Sequence, residues 1–116
     1  MELEERRRAR NEVVFRSANE RIAGKASALG AGDEPVPFLC ECPEQTCTEL
    51  VFLRLEEYAE IRANPRQFLA KPGHEGPASG VFAVRSADTY CVFEKTGVGG
   101  EIAEAAAEES ASTREA

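Results

Sequence analysis

The stretch Phe38-Leu39-Cys40-Glu41-Cys42-Pro43-Glu44-Gln45-Thr46-Cys47-Thr48 carries three of the four cysteines in a chain of 116 residues, and its reading decides the fold. Pro35 and Pro37 hold the chain extended into Val36, Phe38 and Cys40, because proline fixes φ and is tolerated at strand edges. Pro43 to Thr46 are turn formers, and beyond them Glu49-Leu50-Val51-Phe52-Leu53 reads as a second strand. The cysteines are therefore expected at the tip of a β-hairpin.

On an extended backbone Cys40 and Cys42 point to one side and Glu41 to the other. The following turn is long enough to return Cys47 to that pair, which sets three thiolates around a point suited to a tetrahedral ion. Zinc takes a fourth ligand, and the chain offers two candidates. His74, the single histidine, stands in the loop Lys71-Pro72-Gly73-His74-Glu75-Gly76-Pro77, whereas Cys91 lies between Tyr90 and Val92 with the setting of a small buried hydrophobe. The expected metal set is Cys40, Cys42, Cys47 and His74, with zinc as the ion and an iron–sulfur cluster disfavoured. Four protein ligands would close the coordination sphere, so the site is expected to be structural. A site of three cysteines and a water, with Glu41 or Glu44 as base, is a lesser alternative. A second class of function is thiol redox chemistry at the same cysteines, since a C-x-C pair can close a strained, labile disulfide.

Outward from the hairpin, residues 2–29 contain no proline, and Phe15, Ala18, Ile22, Ala26 and Leu29 recur at helical spacing, with Val14 widening the stripe. A long N-terminal helix with one buried face is expected, its first ten residues forming an exposed extension or frayed end. Gly30-Ala31-Gly32-Asp33-Glu34-Pro35 ends it. On the other side, Leu55–Arg62 reads as a short helix with acids in its first turn and Arg62 in its last, stopped by Asn64-Pro65. Gln67–Ala70 is a brief extended segment. Gly80–Arg85 and Thr89–Lys95 alternate as a second hairpin. From Gly97 the chain is Ala, Glu and Ser with little apolar content, expected as a flexible acidic tail, mobile or partly helical. The chain thus divides into an N-terminal amphipathic helix over 1–31, a compact cysteine-motif body over 32–96, and the tail over 97–116. The fold class is α+β, with a small antiparallel sheet of about four strands in two hairpins.

Composition narrows the function. The net charge is −7, and an acidic body repels phosphate backbones, so nucleic acid is not the expected partner. Arg6-Arg7-Arg8-Ala9-Arg10 is flanked by Glu2, Glu4, Glu5 and Glu12 at helical distances, which reads as a salt-bridged helix face; a nucleic-acid-binding accessory role for this basic run together with the zinc knuckle is the last alternative. No run of about 18 apolar residues suggests a membrane span. No apolar leader is visible, so the expected address is the cytoplasm, where clustered cysteines read as ligands or redox thiols before disulfides. Gly97-Val98-Gly99-Gly100-Glu101-Ile102 departs from a dinucleotide fingerprint at its sixth position.

Phe38-Leu39-Cys40-Glu41-Cys42, Cys47-Thr48-Glu49, Glu57-Tyr58, Arg62, Pro65-Arg66-Gln67-Phe68 and Pro72-Gly73-His74-Glu75 together resemble an uncharacterised family of small bacterial proteins. Phe15, Asn19-Glu20-Arg21-Ile22 and Glu94-Lys95 extend the likeness over roughly residues 12–105. The resemblance implies that the cysteine loop and the Pro-Gly-His loop belong to one module, and it implies no activity. Cys91 lies outside the pattern. With no catalytic constellation in sight, the expected function is a non-enzymatic, zinc-stabilised interaction module. Its N-terminal helix would meet a protein partner or a second copy of the chain.

Overall fold

Helix formation across the basic N-terminal segment is continuous: α1 runs over Glu2–Ala28. The computed structural model describes residues 2–44, 46–74 and 81–115. α1 ends where Gly30 takes φ 77°, a left-handed conformation that glycine adopts without a side-chain clash. Ala31 N then donates to Ala26 O and Gly30 N to Ser27 O, the paired bonds that close a helix C-terminus. The segment expected as an exposed extension or frayed end is helical from Glu2, and it stays exposed at Leu3, Arg7 and Arg10 while burying Ala9.

The buried face of α1 differs from the expected apolar stripe. Ile22 and Ala26 do pack against the core, but Val14 and Leu29 are exposed at 64% and 79%. The residues turned fully inward are Ala9, Glu12, Arg16 and Asn19, a set rotated from the apolar stripe by roughly a quarter turn. The reason lies in what α1 packs against: Arg16 donates to the carbonyls of Pro65 and Ala103. Asn19 bonds Leu39 and Glu41, and Lys95 donates to Glu12. Buried polar groups must be bonded, and this helix supplies the partners.

The strands form two small antiparallel sheets in place of the single sheet of about four strands. In the first, β1 (Val36–Leu39) pairs with β2 (Leu50–Leu53), with Val36 opposite Leu53 and Phe38 opposite Val51. In the second the order is β3 (Gln67–Ala70), β5 (Cys91–Lys95), β4 (Val81–Ser86). The brief extended segment Gln67–Ala70 is thus a strand, with Phe68 opposite Phe93. It makes β5 central, which explains why nearly every residue of β5 is buried. The β4–β5 pairing carries a register shift between Ala83 and Arg85. The expected start of that strand at Gly80 lies outside the described residues.

Between the sheets, α2 (Leu55–Arg62) buries Tyr58 and Ile61, and Arg54 N donates to Glu57 at its N-terminus. Phe38 stacks on Tyr58 with centroids 4.3 Å apart, and Phe68 on Phe93 at 5.5 Å. These four rings form the centre of the core. The segment expected as a flexible tail forms α3 (Gly97–Glu115), which lies along α1 and buries Ala103. Gly100 admits the close approach of the first turn of α3 to the end of β5, because a Cβ there would stand 2.7 Å from Lys95 O.

Candidate metal centre

β1 delivers the first two cysteines. Its pairing continues one step, with Cys40 N donating to Glu49 O, and beyond the strand the side chains still alternate, Cys40 and Cys42 toward His74 and Glu41 toward Asn19 and Arg62. Two asparagines of α1 hold the segment in place. Asn19 Nδ2 donates to Leu39 O and Leu39 N returns a bond to Asn19 Oδ1, both at 2.8 Å; Asn11 Nδ2 donates to Pro43 O. A turn closed by Cys47 N and Glu44 O then brings Cys47 back.

His74 arrives from β3. The turn Lys71-Pro72-Gly73-His74 is closed by His74 N donating to Lys71 O, and Gly73 takes φ 87°. Proline then glycine at these positions is the signature of a type II turn, so the local sequence itself presents the imidazole. Its Nδ1 lies 3.7 Å from both Cys40 Sγ and Cys47 Sγ. The donor atoms of Cys40, Cys42, Cys47 and His74 all lie within 4.8 Å of one another.

These separations suit a metal ion. For Zn–S of about 2.3 Å and Zn–N of about 2.0–2.1 Å in a tetrahedron, S···N is about 3.6 Å and S···S about 3.8 Å. Three sulfurs and one imidazole nitrogen also make a borderline-soft donor set, which favours zinc chemistry over oxygen-seeking cations. Lys71 N donates to Cys40 Sγ at 3.3 Å, an amide bond that stabilises negative charge on the sulfur. Cys91 does not join the four. It is buried, and its thiol faces Lys71 O at 3.6 Å, one peptide behind the site.

No disulfide links the described cysteines. Burial pushes the Cys40 thiol up, as it does the Cys42 thiol, opposite to the depressed pKa of a reactive cysteine. A cation would have to displace protons from these sulfurs, so occupancy should decline as the solution is acidified.

Glu41 faces away from the thiols, as the alternation predicts, and is fully buried. Its two oxygens receive Asn19 Nδ2, Tyr58 Oη, Arg62 and Leu69 N, so it does not reach the metal donors as a base. The sequence reading did not identify Asn19, Tyr58 and Arg62 as its partners. The usable signal was the placement of an acid between two inward positions, with an arginine and a tyrosine four residues apart on the next helix.

No described helix is long and apolar enough to cross a membrane. Comparison of the chain with family models, with curated proteins and with solved structures gave no match, and the functional reading therefore rests on the site.

Proposed function

We propose that the protein is a non-enzymatic module whose fold is closed by one zinc ion held by Cys40, Cys42, Cys47 and His74. The observation that carries this reading is the convergence of three sulfurs and one imidazole nitrogen within 4.8 Å of one another, with Nδ1 of His74 3.7 Å from two of the sulfurs. With four protein ligands no coordination position is left for an activated water, so the ion would be structural. It would join the tip of the β1–β2 hairpin to the turn after β3. Structural zinc contributes on the order of 10 kcal/mol to the folding of small domains. The likeness to a bacterial family with F-x-C-E-C-x4-C-T and P-G-H-E motifs agrees with one module built from these two loops. Within this reading α1 is the interaction element, where Leu3 and Val14 lie exposed, and its partner is a second copy of the chain.

Elemental analysis and native mass spectrometry of the full chain test the metal. We expect one zinc per chain, retained in Cys91→Ser and lost or strongly weakened in Cys47→Ser and His74→Ala. Chelation should lower the melting temperature of the wild type. Metal lost in Cys91→Ser but kept in His74→Ala would overturn the ligand assignment, and reactive thiols in a zinc-free purified protein would favour redox chemistry.

A further inference from the structure

The four donors come from two separate chain segments, residues 40–47 and the turn ending at His74, and something must set the register between them. The residue between the first two ligands does so. Glu41 N donates to Leu69 O at 2.6 Å, and Leu69 N returns a bond to Glu41 Oε1 at 3.0 Å. Leu69 lies in β3, whose exit delivers first Lys71, with its amide on Cys40 Sγ, and then His74. One exchange of hydrogen bonds thus sets the distance between the Cys40-Cys42 segment and the imidazole.

The other contacts of the carboxylate reach the helices. Oε2 accepts from Asn19 Nδ2 of α1 at 2.7 Å, from Arg62 of α2 at 3.2 Å and from Tyr58 Oη at 3.4 Å. Asn19 is itself clamped to both backbone polar groups of Leu39, directly before Cys40. Glu41 therefore stands where α1, α2, β3 and the cysteine segment meet, with its carboxylate on one side of the strand and both thiols on the other. A buried carboxylate tolerates displacement poorly, because each lost partner leaves charge without compensation. Residues that orient ligands from behind typically change metal affinity by about 10–100-fold. Coupling of this kind is reciprocal: whatever Glu41 docking adds to metal affinity, metal adds to docking.

Resting on the zinc reading above, we propose that Glu41 is the positioning residue of the metal centre, and that metal occupancy is thereby coupled to the docking of α1 on the two sheets. The cysteine loop is then a sensor element whose state is read out at a helix that holds none of the ligands.

Full-length protein, Zn(II), and Co(II) as a visible probe test this. Glu41→Gln keeps all four ligands and the side-chain size but places an amide group among the donors of Asn19, Arg62 and Leu69. It should weaken Co(II) and Zn(II) binding by about 10–100-fold and alter the ligand-field spectrum of the cobalt form. A purely structural role would lower stability and leave that spectrum unchanged. In the wild type, zinc should slow hydrogen exchange in α1 around Asn19. In Asn19→Ala, which removes the bond to the Glu41 carboxylate and both bonds to the Leu39 backbone, affinity should fall by at least about 5-fold and the zinc-dependent protection of α1 should shrink. Wild-type affinity and an unchanged cobalt spectrum in Glu41→Gln would overturn the positioning role. Should Glu41→Gln fail to fold, Asn19→Ala decides: unchanged affinity together with full zinc-dependent protection of α1 would overturn the proposal. A wild-type chain that takes up neither ion overturns the zinc reading and this inference together; uptake with no change in α1 overturns the inference alone.

Discussion

Glu12 lies fully buried on α1, with Oε1 2.6 Å from Lys95 Nζ and with no hydrogen-bond partner on Oε2 among the described residues. Burial pushes its carboxyl up to about 7, and the Lys95 ammonium and Arg8 pull it back only in part, while Glu41 adds to the rise. The sign of the stability effect follows from proton counts. Between the unfolded value of 4.5 and about 7, the folded state binds more protons than the unfolded state, so stability falls as pH rises through that window. The loss is on the order of 1–3 kcal/mol. Urea midpoints of wild type and Glu12→Gln, both zinc-loaded, at about pH 5 and about pH 8 check this, because the difference between them cancels proton release at the thiols. The wild type should lose stability relative to the variant with rising pH; a difference independent of pH would contradict the raised pKa.

At the scale of elements, α2 and the β1–β2 hairpin were legible in the sequence because their signals are local. Asn64-Pro65 stops the helix, and the i, i+2 cysteines and the Pro-Gly turn each determine their own geometry within a few residues. The inward face of α1 was not legible. Its partners lie far along the chain, Glu41 at 22 residues, Lys95 at 83 and Ala103 at 87, and an apolar stripe is the wrong guide where a helix packs on carbonyls and charges. β3 was read only as extended because four residues are too few to show alternation. The helix after Gly97 reads as a tail because its docking uses one buried alanine, Ala103, a bond from Arg16 and an ion pair of Glu104 with Arg66, none of which leaves an apolar stripe in the sequence. That bond gives a test. Arg16 reaches Pro65 O at 2.6 Å and Ala103 O at 2.8 Å while its guanidinium lies over Phe68, a fork that a lysine's single ammonium cannot reproduce. Arg16→Lys should cost about 2–3 kcal/mol and raise hydrogen exchange along α3, with the metal centre retained. Unchanged protection of α3 would show that α3 docks without this bond.

Over the whole molecule, charge is divided between two neighbouring helices. α1 carries seven Lys or Arg against five Glu, with Arg6, Arg7, Arg8 and Arg10 clustered, and α3 carries five Glu against one Arg. Between them runs a groove of about 490 Å³, with Arg6, Arg10, Val14, Ile102 and Glu109 along it. A two-fold contact would set basic α1 of one copy against acidic α3 of the other, with Val14 at its centre, and such isologous pairing is the commonest form of self-assembly. Light scattering of the full chain should show a concentration-dependent dimer that weakens with salt and is abolished by Val14→Glu. A wild-type mass fixed at one chain at all concentrations and salt levels would remove the second copy as partner.

The polar inward face of α1 also bears on how the chain is made. Arg16 is synthesised 87 residues before the Ala103 carbonyl that it binds, and contacts so distant in sequence form late. During that interval an apolar face would be sticky, since exposed hydrophobic surface drives aggregation of unfinished chains. Glu12 and Arg16 stay hydrated until Lys95 of β5 and Ala103 of α3 arrive. The residues that lock the finished fold would thus reduce the apolar surface that α1 shows while it waits.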